Sequence, residues 1–393
     1  MIQQNFNNMK NFFHAIGMAD REKMHSAMIA WILGPNCEAL SAIDKSTLLC
    51  RLFNVEYTPF DSIQTVIETN DIDIFITTKN EEGDEAHWII ENKIKTNQHS
   101  NQLDKYVDKI DKLYGSSNNY FCFLTLTGEE PQGGKKDRWV RKTYGELISI
   151  IEANNSWLNR GNSHCQFLQE YIESIKELDN ALRDFIEHPD NYPHVFQYGR
   201  TAKNKKDFDS IKNDGKYATF IAEYNLENTF KEKLFLDKIK NKINVADTNE
   251  KILVKSMGDT MLLYYKTQWI FEDLRIQIEL QGNAIKIVLL HKLYDEPQKD
   301  TYKIIYNPLI GQRKSFADIF NNHANKEWRV EKSKKYDDKP LKPRIALVKS
   351  IKKEWYKNID DVKNELLDGF KNAFPLTEKI AKKINEMKNA RNT

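Results

Sequence analysis

Apolar and polar positions in the first half of the chain follow helical and strand periods in turn. Apolar side chains recur at helical spacing over residues 21–33, between Asp20, a candidate N-cap, and Gly34, a stop signal, and this pattern predicts a helix. Two short isoleucine-rich runs, Asp71–Thr78 and Ala86–Ile94, are separated by a polar stretch that contains a glycine. Such a pair of runs predicts a β-hairpin.

The rest of the chain is predicted to be α/β at first and α+β later. After the hairpin, the pattern predicts a helix over 98–113, strands over 120–126 and near Val140, and helices over 144–151 and 165–186. The second half has a predicted helix over 226–243, strand-like runs over 251–256, 261–265, 274–280 and 284–290, and helices over 346–356 and 362–387 with a break at Pro375. The four consecutive runs indicate an antiparallel meander.

Charge divides the chain into two unlike halves. The formal net charge is +2, yet residues 1–190 contain 19 Lys or Arg and 29 Asp or Glu, a net of −10, and residues 191–393 contain 40 and 28, a net of +12. Two prolines between 189 and 199 interrupt regular structure where the sign changes. We therefore predict one domain over 1–190 and a basic domain over 200–393. A basic half commonly binds a polyanion, and a lysine-rich solvated surface gives the same counts.

Composition and cysteine use indicate an ordinary globular protein of the cytoplasm. Hydrophobic residues make up 40% and charged residues 30% of the chain. The apolar runs are far shorter than the ~20 residues of a membrane span, and the N-terminus lacks the basic and apolar regions of a secretory signal. The four cysteines are widely separated and form no CxxC pair, which predicts reduced, mostly buried thiols. We expect no membrane partner.

Two carboxylates and a lysine share one face of the predicted hairpin. Side chains alternate across a strand, so Glu91 and Lys93 point to one face of the second strand, and strand pairing can bring Asp73 beside them. Mg²⁺ favours a few carboxylate oxygens and keeps water for a phosphate, while a lysine can position or deprotonate the attacking water. This set therefore predicts phosphodiester hydrolysis. A solvent-facing strand edge with an exposed Glu–Lys ion pair is the structural alternative.

The residues around this set resemble the PD-(D/E)xK nuclease superfamily, whose motif is an acid on one strand and E-x-K on the next. The similarity consists of Asp73, the run Ile90-Glu91-Asn92-Lys93-Ile94, the run Gln102-Leu103-Asp104-Lys105-Tyr106, and an upstream helix with Glu22, His25-Ser26 and an aromatic, leucine-rich end. The two runs are similar to the IENKI and QLxxY blocks of a bacterial subgroup. The resemblance covers roughly residues 15–150.

The resemblance implies a restriction-endonuclease-like α/β/α core and an endonuclease that cleaves DNA, or RNA, with Mg²⁺ or Mn²⁺ in prokaryotic genome or anti-phage defence. It implies that Asp73 and Glu91 bind the metal together with the carbonyl of Asn92. Lys93 becomes the catalytic base or an electrostatic stabiliser. The alternatives are a catalytically silent nuclease fold that binds nucleic acid or assembles with a partner, and a ribonuclease toxin that shares the same site.

Several further residues are candidates for this site. Glu22, Asp71 and Tyr106 are expected in the outer part of the site, and Gln102 is expected to be catalytic. Gln102 and Tyr106 lie one turn apart on a helix and are expected to face the site or the phosphate backbone, or to pack that helix. Asp71 is an alternative ligand to Asp73, which we favour because its Ile-Asp-Ile frame matches the subgroup better.

Other motifs have weaker chemical implications. His25-Ser26 lacks a third member of a triad and is predicted to pack a helix. Glu68 is expected to be a surface carboxylate. The run Gly133-Gly134-Lys135-Lys136 lacks the spacing of a phosphate-binding loop and is predicted to be a mobile basic loop that touches DNA.

Cations and aromatic rings interleave in the basic half. The candidate nucleic-acid-binding residues are Lys332, Lys334, Lys335, Lys342 and Arg344. Nucleic-acid surfaces combine cations for phosphates with rings for bases, and a solvated loop has the same composition. A protein partner or activator is the other ligand that we expect for this domain.

Overall fold

A computed structural model describes residues 11–69, 71–95, 98, 101–153, 161–196, 209–234, 253–257, 260–271, 274–281, 284–291, 318–331, 344–350 and 359–389. The chain forms two compact units. The first contains Met1–Glu187, Lys203–Asp209 and Thr219–Thr229, and the second contains His188–Ala202, Ser210–Ala218 and Phe230–Thr393. The functional division near residue 190 stays a prediction, and the segment Thr219–Thr229 lies in the first unit, across that division.

A five-stranded sheet forms the centre of the first unit. In spatial order its strands are β1 (Ser62–Thr69), β2 (Ile72–Lys79), β3 (Glu85–Lys93), β4 (Asn119–Thr125) and β5 (Trp139–Thr143). The first three strands pair antiparallel, and β3, β4 and β5 pair parallel. This mixed sheet is that of a restriction-endonuclease-like α/β core, as predicted, and the predicted hairpin is β2–β3.

Helices cover both faces of this sheet. They are α1 (Phe12–Ala15), α2 (Glu22–Leu33), α3 (Ala42–Leu52), α4 (Gln102–Tyr114), α5 (Tyr144–Ala153) and α6 (Ser163–Glu187). On one face, Leu103 and Val107 of α4 share a buried core with Phe121 of β4. On the other face, Trp88 of β3 meets Phe53, at the end of α3, edge-to-face with 5.2 Å between ring centroids. Each fully buried side chain of this size contributes about 1.5–3 kcal/mol.

Three local features near the N-terminus differ from the sequence-based expectation. Asp20 does not cap α2, because its carboxylate forms an ion pair with Lys95 and Arg21 occupies the N-cap position. Helix α3 and strand β1 were not predicted. The signal for α3 was present, since Ser41 and Asp44 form a capping box in which each side chain accepts the other's backbone N–H.

The second unit contains a six-stranded antiparallel sheet. Two short helices precede this sheet in the chain, α7 (Ala218–Glu223), which lies in the first unit from residue 219 on, and α8 (Glu227–Leu234), which is divided between the two units. The elements that follow are β6 (Leu253–Met257), β7 (Thr260–Phe271), β8 (Leu274–Gln281), β9 (Ala284–His291), β10 (Trp328–Val330), β11 (Arg344–Ser350) and α9 (Ile359–Asn389). The spatial order is β10-β11-β9-β8-β7-β6, so the predicted meander β6–β9 is confirmed. Helix α9 packs on this sheet at Gly369, where an added Cβ would lie 2.0 Å from Ile285.

Two predictions for the C-terminal region are wrong. The predicted helix over 346–356 begins as a strand in its described part, because β11 pairs along its length with β9 and buries Ala346 and Val348 against Val288. The predicted break at Pro375 is absent, and α9 continues through it. Burial of an apolar face that includes Phe370 outweighs the cost of a proline inside a helix, about 3 kcal/mol.

The four cysteines agree with the expected reduced, buried thiols. Cys37, Cys50, Cys122 and Cys165 are buried free thiols. Among the helices in the described part of the chain, none combines the length and apolar character needed to cross a bilayer.

Candidate active site

The ends of β2 and β3 bring the predicted acids and lysine together. Ile74 pairs with Ile90 in the antiparallel ladder, so Asp73, one residue earlier, lies beside Glu91. The backbone N–H of Asn92 donates to Asp73 Oδ2 at 2.8 Å, which holds this carboxylate against β3. The hairpin therefore orients both acids toward the face that α4 covers.

Glu91 and Lys93 form a buried ion pair within this cluster. Lys93 Nζ lies 2.6 Å from Glu91 Oε1, and their side chains are 9% and 0% exposed. Gln102 Nε2, at the start of α4, donates to the same Oε1 at 2.8 Å. Glu91 Oε2 is buried and has no hydrogen-bond partner among the described residues. Glu91 and Lys93 therefore do not form the exposed ion pair that the structural alternative predicts.

Burial and mutual repulsion shift the ionisation of the two acids. Burial, followed by the negative charge of Asp73, raises the pKa of Glu91 to about 7 against the opposing effect of Lys93. Burial also raises the pKa of Asp73. For Lys93, burial acts to lower the pKa, but Glu91, Asp73 and Glu22 outweigh it and raise the value above its usual range. Lys93 is therefore a cation at neutral pH.

A second set of contacts connects α4 to the turn before β2. Gln102 Nε2 also lies 2.6 Å from the hydroxyl of Tyr106, and that hydroxyl donates to the backbone carbonyl of Asp71. Asp71 has a left-handed backbone with φ of 67°, and its side chain is 90% exposed. The structure thus brings Gln102 and Tyr106 to Glu91, and it leaves the Asp71 carboxylate outside the cluster.

Glu22 and Asn92 support the cluster from the opposite side. Glu22 Oε1 accepts hydrogen bonds from the backbone N–H groups of Ile94 and Lys95 at 2.9 and 3.2 Å. The side chain of Asn92 donates to Glu22 O and accepts from Tyr144 on the far face of the sheet. The main-chain carbonyl of Asn92 is thus the candidate metal ligand. The role of Tyr144 was not predicted, because nothing in its sequence context marks it.

Glu68 of β1 lies opposite Asp73 of β2. Ile67 pairs with Ile74 and Thr69 with Ile72, which places Glu68 opposite Asp73. Its side chain is 49% exposed and lies 2.7 Å from the ammonium of Lys23. This environment matches the predicted surface carboxylate.

One structural feature shows that the cluster suits a hard divalent cation: Glu91 Oε2 is buried and has no hydrogen-bond partner among the described residues. A cation there would replace the missing partner of a buried acceptor, and Asp73 and the carbonyl of Asn92 would add oxygen ligands. Within the described ranges, no group of three or more His, Cys, Asp or Glu side chains is arranged to hold a metal ion. Such a site therefore needs water molecules to complete the coordination, which Mg²⁺ commonly retains.

Two other motifs take structural roles. His25 is fully buried and bonds to the Tyr171 hydroxyl at 3.2 Å and Ala19 O at 2.9 Å, as expected for a packing residue. The loop around Gly133, predicted to be mobile, is hydrogen-bonded to α4, and its contact with DNA stays a prediction. The backbone N–H groups of Gly134 and Lys135 donate to the carboxylate of Asp104 on α4, and these bonds fix the loop.

Most of the residues predicted to bind nucleic acid in the basic half lie outside the described part of the chain. Lys332, Lys334, Lys335 and Lys342 lie outside the described residues, and Arg344 is described only as the first residue of β11. Their proposed role stays a prediction.

The N-terminal part of the chain is similar to a known protein family. Residues 10–173 match the model of a family described as the PD-(D/E)XK nuclease superfamily. Neither the curated proteins nor the solved structures give a match to the chain.

Proposed function

Because residues 10–173 belong to the PD-(D/E)XK nuclease superfamily, we propose that this protein is an endonuclease that hydrolyses DNA with Mg²⁺ or Mn²⁺ in prokaryotic genome defence. The observation that carries the proposal is the cluster of half-buried Asp73 with buried Glu91 and Lys93, in which Glu91 Oε2 has no partner among the described residues. A fold that served only for binding would have no need of an unsatisfied buried carboxylate, which is costly to keep.

Each residue of the cluster has a distinct task in this proposal. Asp73, Glu91 and the carbonyl of Asn92 would hold the cation, and the chemistry it would supply is polarisation of the phosphoryl oxygen and activation of water. Gln102 and Lys93 fix the other oxygen of Glu91, so that Oε2 points to one place. Lys93 is protonated at neutral pH, so it offsets the charge developing on the phosphate and orients water by donating a hydrogen bond.

The basic half is proposed to bind nucleic acid or an activating partner. Its charge of +12 over residues 191–393 is opposite to that of the first 190 residues and complementary to a polyanion. We propose that this half brings the substrate to the acidic catalytic part, with Lys332, Lys334, Lys335, Lys342 and Arg344 among its contacts.

A cleavage assay on the full chain tests the function. Supercoiled plasmid, single-stranded DNA and RNA are incubated separately with Mg²⁺, Mn²⁺, Ca²⁺ or EDTA, and Glu91→Gln, purified identically, controls for contaminating nucleases. We expect nicking or linearisation with Mg²⁺ or Mn²⁺, none with EDTA, and at least ~100-fold slower cleavage by Glu91→Gln, since a metal contributes several kcal/mol.

The outcomes separate the candidate functions. Cleavage of RNA alone would favour the ribonuclease toxin. Binding of nucleic acid without cleavage under every metal condition would favour the silent module. Equal cleavage by the protein and by Glu91→Gln would contradict the proposed site.

A further inference from the structure

Helix α4 carries two parallel rows of opposite charge. The acidic row consists of Asp104, Asp108 and Asp111, and the lysine row consists of Lys105, Lys109 and Lys112. Each row has the spacing i, i+4, i+7, which aligns side chains along one side of a helix. The two rows differ in what they contact.

The acidic row binds the chain's own loop between β4 and β5. The carboxylate of Asp104 accepts the backbone N–H groups of Gly134 and Lys135 at 2.9 and 2.8 Å. Asp111 forms a two-point ion pair with Arg138, with N···O distances of 2.9 and 3.2 Å. This row is therefore committed to internal contacts.

Two lysines of the row are exposed to solvent, and Lys109 is half-buried. Lys105 and Lys112 are exposed and form no ion pair with any residue in the described part of the chain. Lys109 Nζ lies 3.9 Å from the Asp71 carboxylate, which is itself 90% exposed. An ion pair of this separation and exposure contributes little to stability, about 0–1 kcal/mol. Lys105 and Lys112 are therefore available to an external anion.

The lysine row also borders the candidate active site. At 3.6 residues per turn, it lies between the acidic row and the side of α4 that carries Gln102 and Tyr106. Those two residues contact Glu91 and the Asp71 carbonyl. Since α4 begins at Gln102, the row starts within one turn of the cluster and leads away from it.

We propose that this row binds the phosphates of the nucleic-acid strand that enters the active site, an inference that rests on the proposed nuclease function. The first 190 residues carry a net charge of −10, so a polyanion needs local cations to approach this cluster. From Lys105 to Lys112 the row extends over seven residue steps, about 10 Å at ~1.5 Å per residue. Each of the three lysines can neutralise one phosphate, so the row can bind up to three phosphates of a strand.

Salt-dependent binding by the full chain tests this proposal. Every protein carries Glu91→Gln to suppress cleavage, and a labelled 30-base-pair duplex and its single strand are titrated at several NaCl concentrations. The test variant combines Lys105→Ala, Lys109→Ala and Lys112→Ala. The control combines Lys79→Ala, Lys176→Ala and Arg183→Ala, which removes the same charge from exposed positions elsewhere in this unit. A Lys→Arg version of the test variant retains the charge, and circular dichroism checks folding.

We expect the slope of log K against log salt for the duplex to become shallower by about two to three units in the test variant, since each phosphate contact contributes ~0.9. The slope should persist in the control and in the Lys→Arg version. Equal changes in the test and control variants, unchanged slopes, or no binding by the parent would each overturn the inference. This assay involves no cleavage, so loss of the nuclease function and loss of the lysine-row function give different results.

Discussion

Lys93 Nζ and Glu91 Oε1 lie 2.6 Å apart, and Gln102 Nε2 donates to the same oxygen at 2.8 Å. One oxygen of Glu91 is thus fully engaged by the protein while the other has no partner within the described residues. This asymmetry divides the carboxylate into a fixed side and a side that can accept a ligand. A change at Lys93 therefore acts on the ionisation of Glu91 as well as on the chemistry.

Replacing Lys93 with Met, which keeps the length of the side chain and removes its charge, should lower the cleavage rate by at least ~100-fold, the loss typical of one electrostatic stabiliser or proton-transfer group. The pKa of Glu91 should rise further, because Lys93 holds it down. Lys93→Arg should restore little, since the planar guanidinium is bulkier than an ammonium group and places its donors differently. Cleavage rates and cation-binding isotherms, both measured above pH 8, check these expectations.

Those two measurements also distinguish the roles of Lys93. Loss of turnover with retained cation binding supports a direct part in the chemistry. Loss of both would make Lys93 a structural support of Glu91, and retention of both would exclude it from the mechanism.

Asp73→Asn should abolish cleavage and weaken binding of Mn²⁺ in the absence of nucleic acid, because it removes a ligand charge from a site with few protein ligands. Asp71→Asn is the matched control, two residues away on an exposed side chain. We expect it to cleave within about threefold of the wild-type rate, since a surface substitution costs little. An inactive Asp71 variant beside an active Asp73 variant would reverse the choice of ligand.

Cation affinity should depend on pH near neutrality. Burial raises the pKa of Glu91 to about 7, and only its deprotonated form binds a metal ion. Apparent affinity should fall about tenfold per pH unit below 7 and level off above it. Calorimetric titration with Mg²⁺ between pH 5.5 and 8.5 checks this, and an affinity that is flat across that range would contradict it.

The same shift predicts how the metal-free fold responds to pH. The folded protein retains a proton on Glu91 that the unfolded chain releases above its usual pKa of 4.5. Between about pH 4.5 and 7, the folded state binds more protons than the unfolded state does. The contribution of Glu91 to the free energy of unfolding therefore falls as pH rises. Glu91→Gln should flatten this decline in urea titrations without metal.

The local pattern predicts much of the site because strand periodicity alone places its residues. Side chains alternate across a strand, which places Glu91 and Lys93 on one face of β3. The antiparallel pairing of β2 with β3 places Asp73 beside them. The preference for Asp73 over Asp71 rested on its frame, and the physical basis lies in the left-handed backbone of Asp71, which turns that side chain outward. The left-handed backbone of Asp71 cannot be predicted from the local sequence.

Features that depend on long-range contacts were not predictable. Strand β11 looked helical because a short apolar run fits either period, and its partner β9 decides the outcome. Tyr144 reaches Asn92 across 52 positions of sequence, and no local signal indicates that contact. The loop at Gly133 looked mobile because its anchor, Asp104, is on a different element.

Gly133→Ala should loosen this loop, whereas Gly134→Ala should not. Gly133 has φ of 119°, and an added Cβ would lie 2.5 Å from the Asp104 carboxylate, which its hydrogen bonds to the loop hold in place. Strain of this kind costs about 1–3 kcal/mol. An added Cβ at Gly134 would lie 3.9 Å from Asp104, an ordinary contact.

Hydrogen exchange measured by mass spectrometry reads the effect locally. In Gly133→Ala, the peptide that contains the amides of Gly134 and Lys135 should exchange faster, because their bonds to Asp104 are strained or broken. Asp104→Ala should accelerate the same peptide, and adding it to Gly133→Ala should have little further effect, since both changes break one set of contacts. Equal exchange in the two glycine variants would mean that the loop holds its position by other contacts.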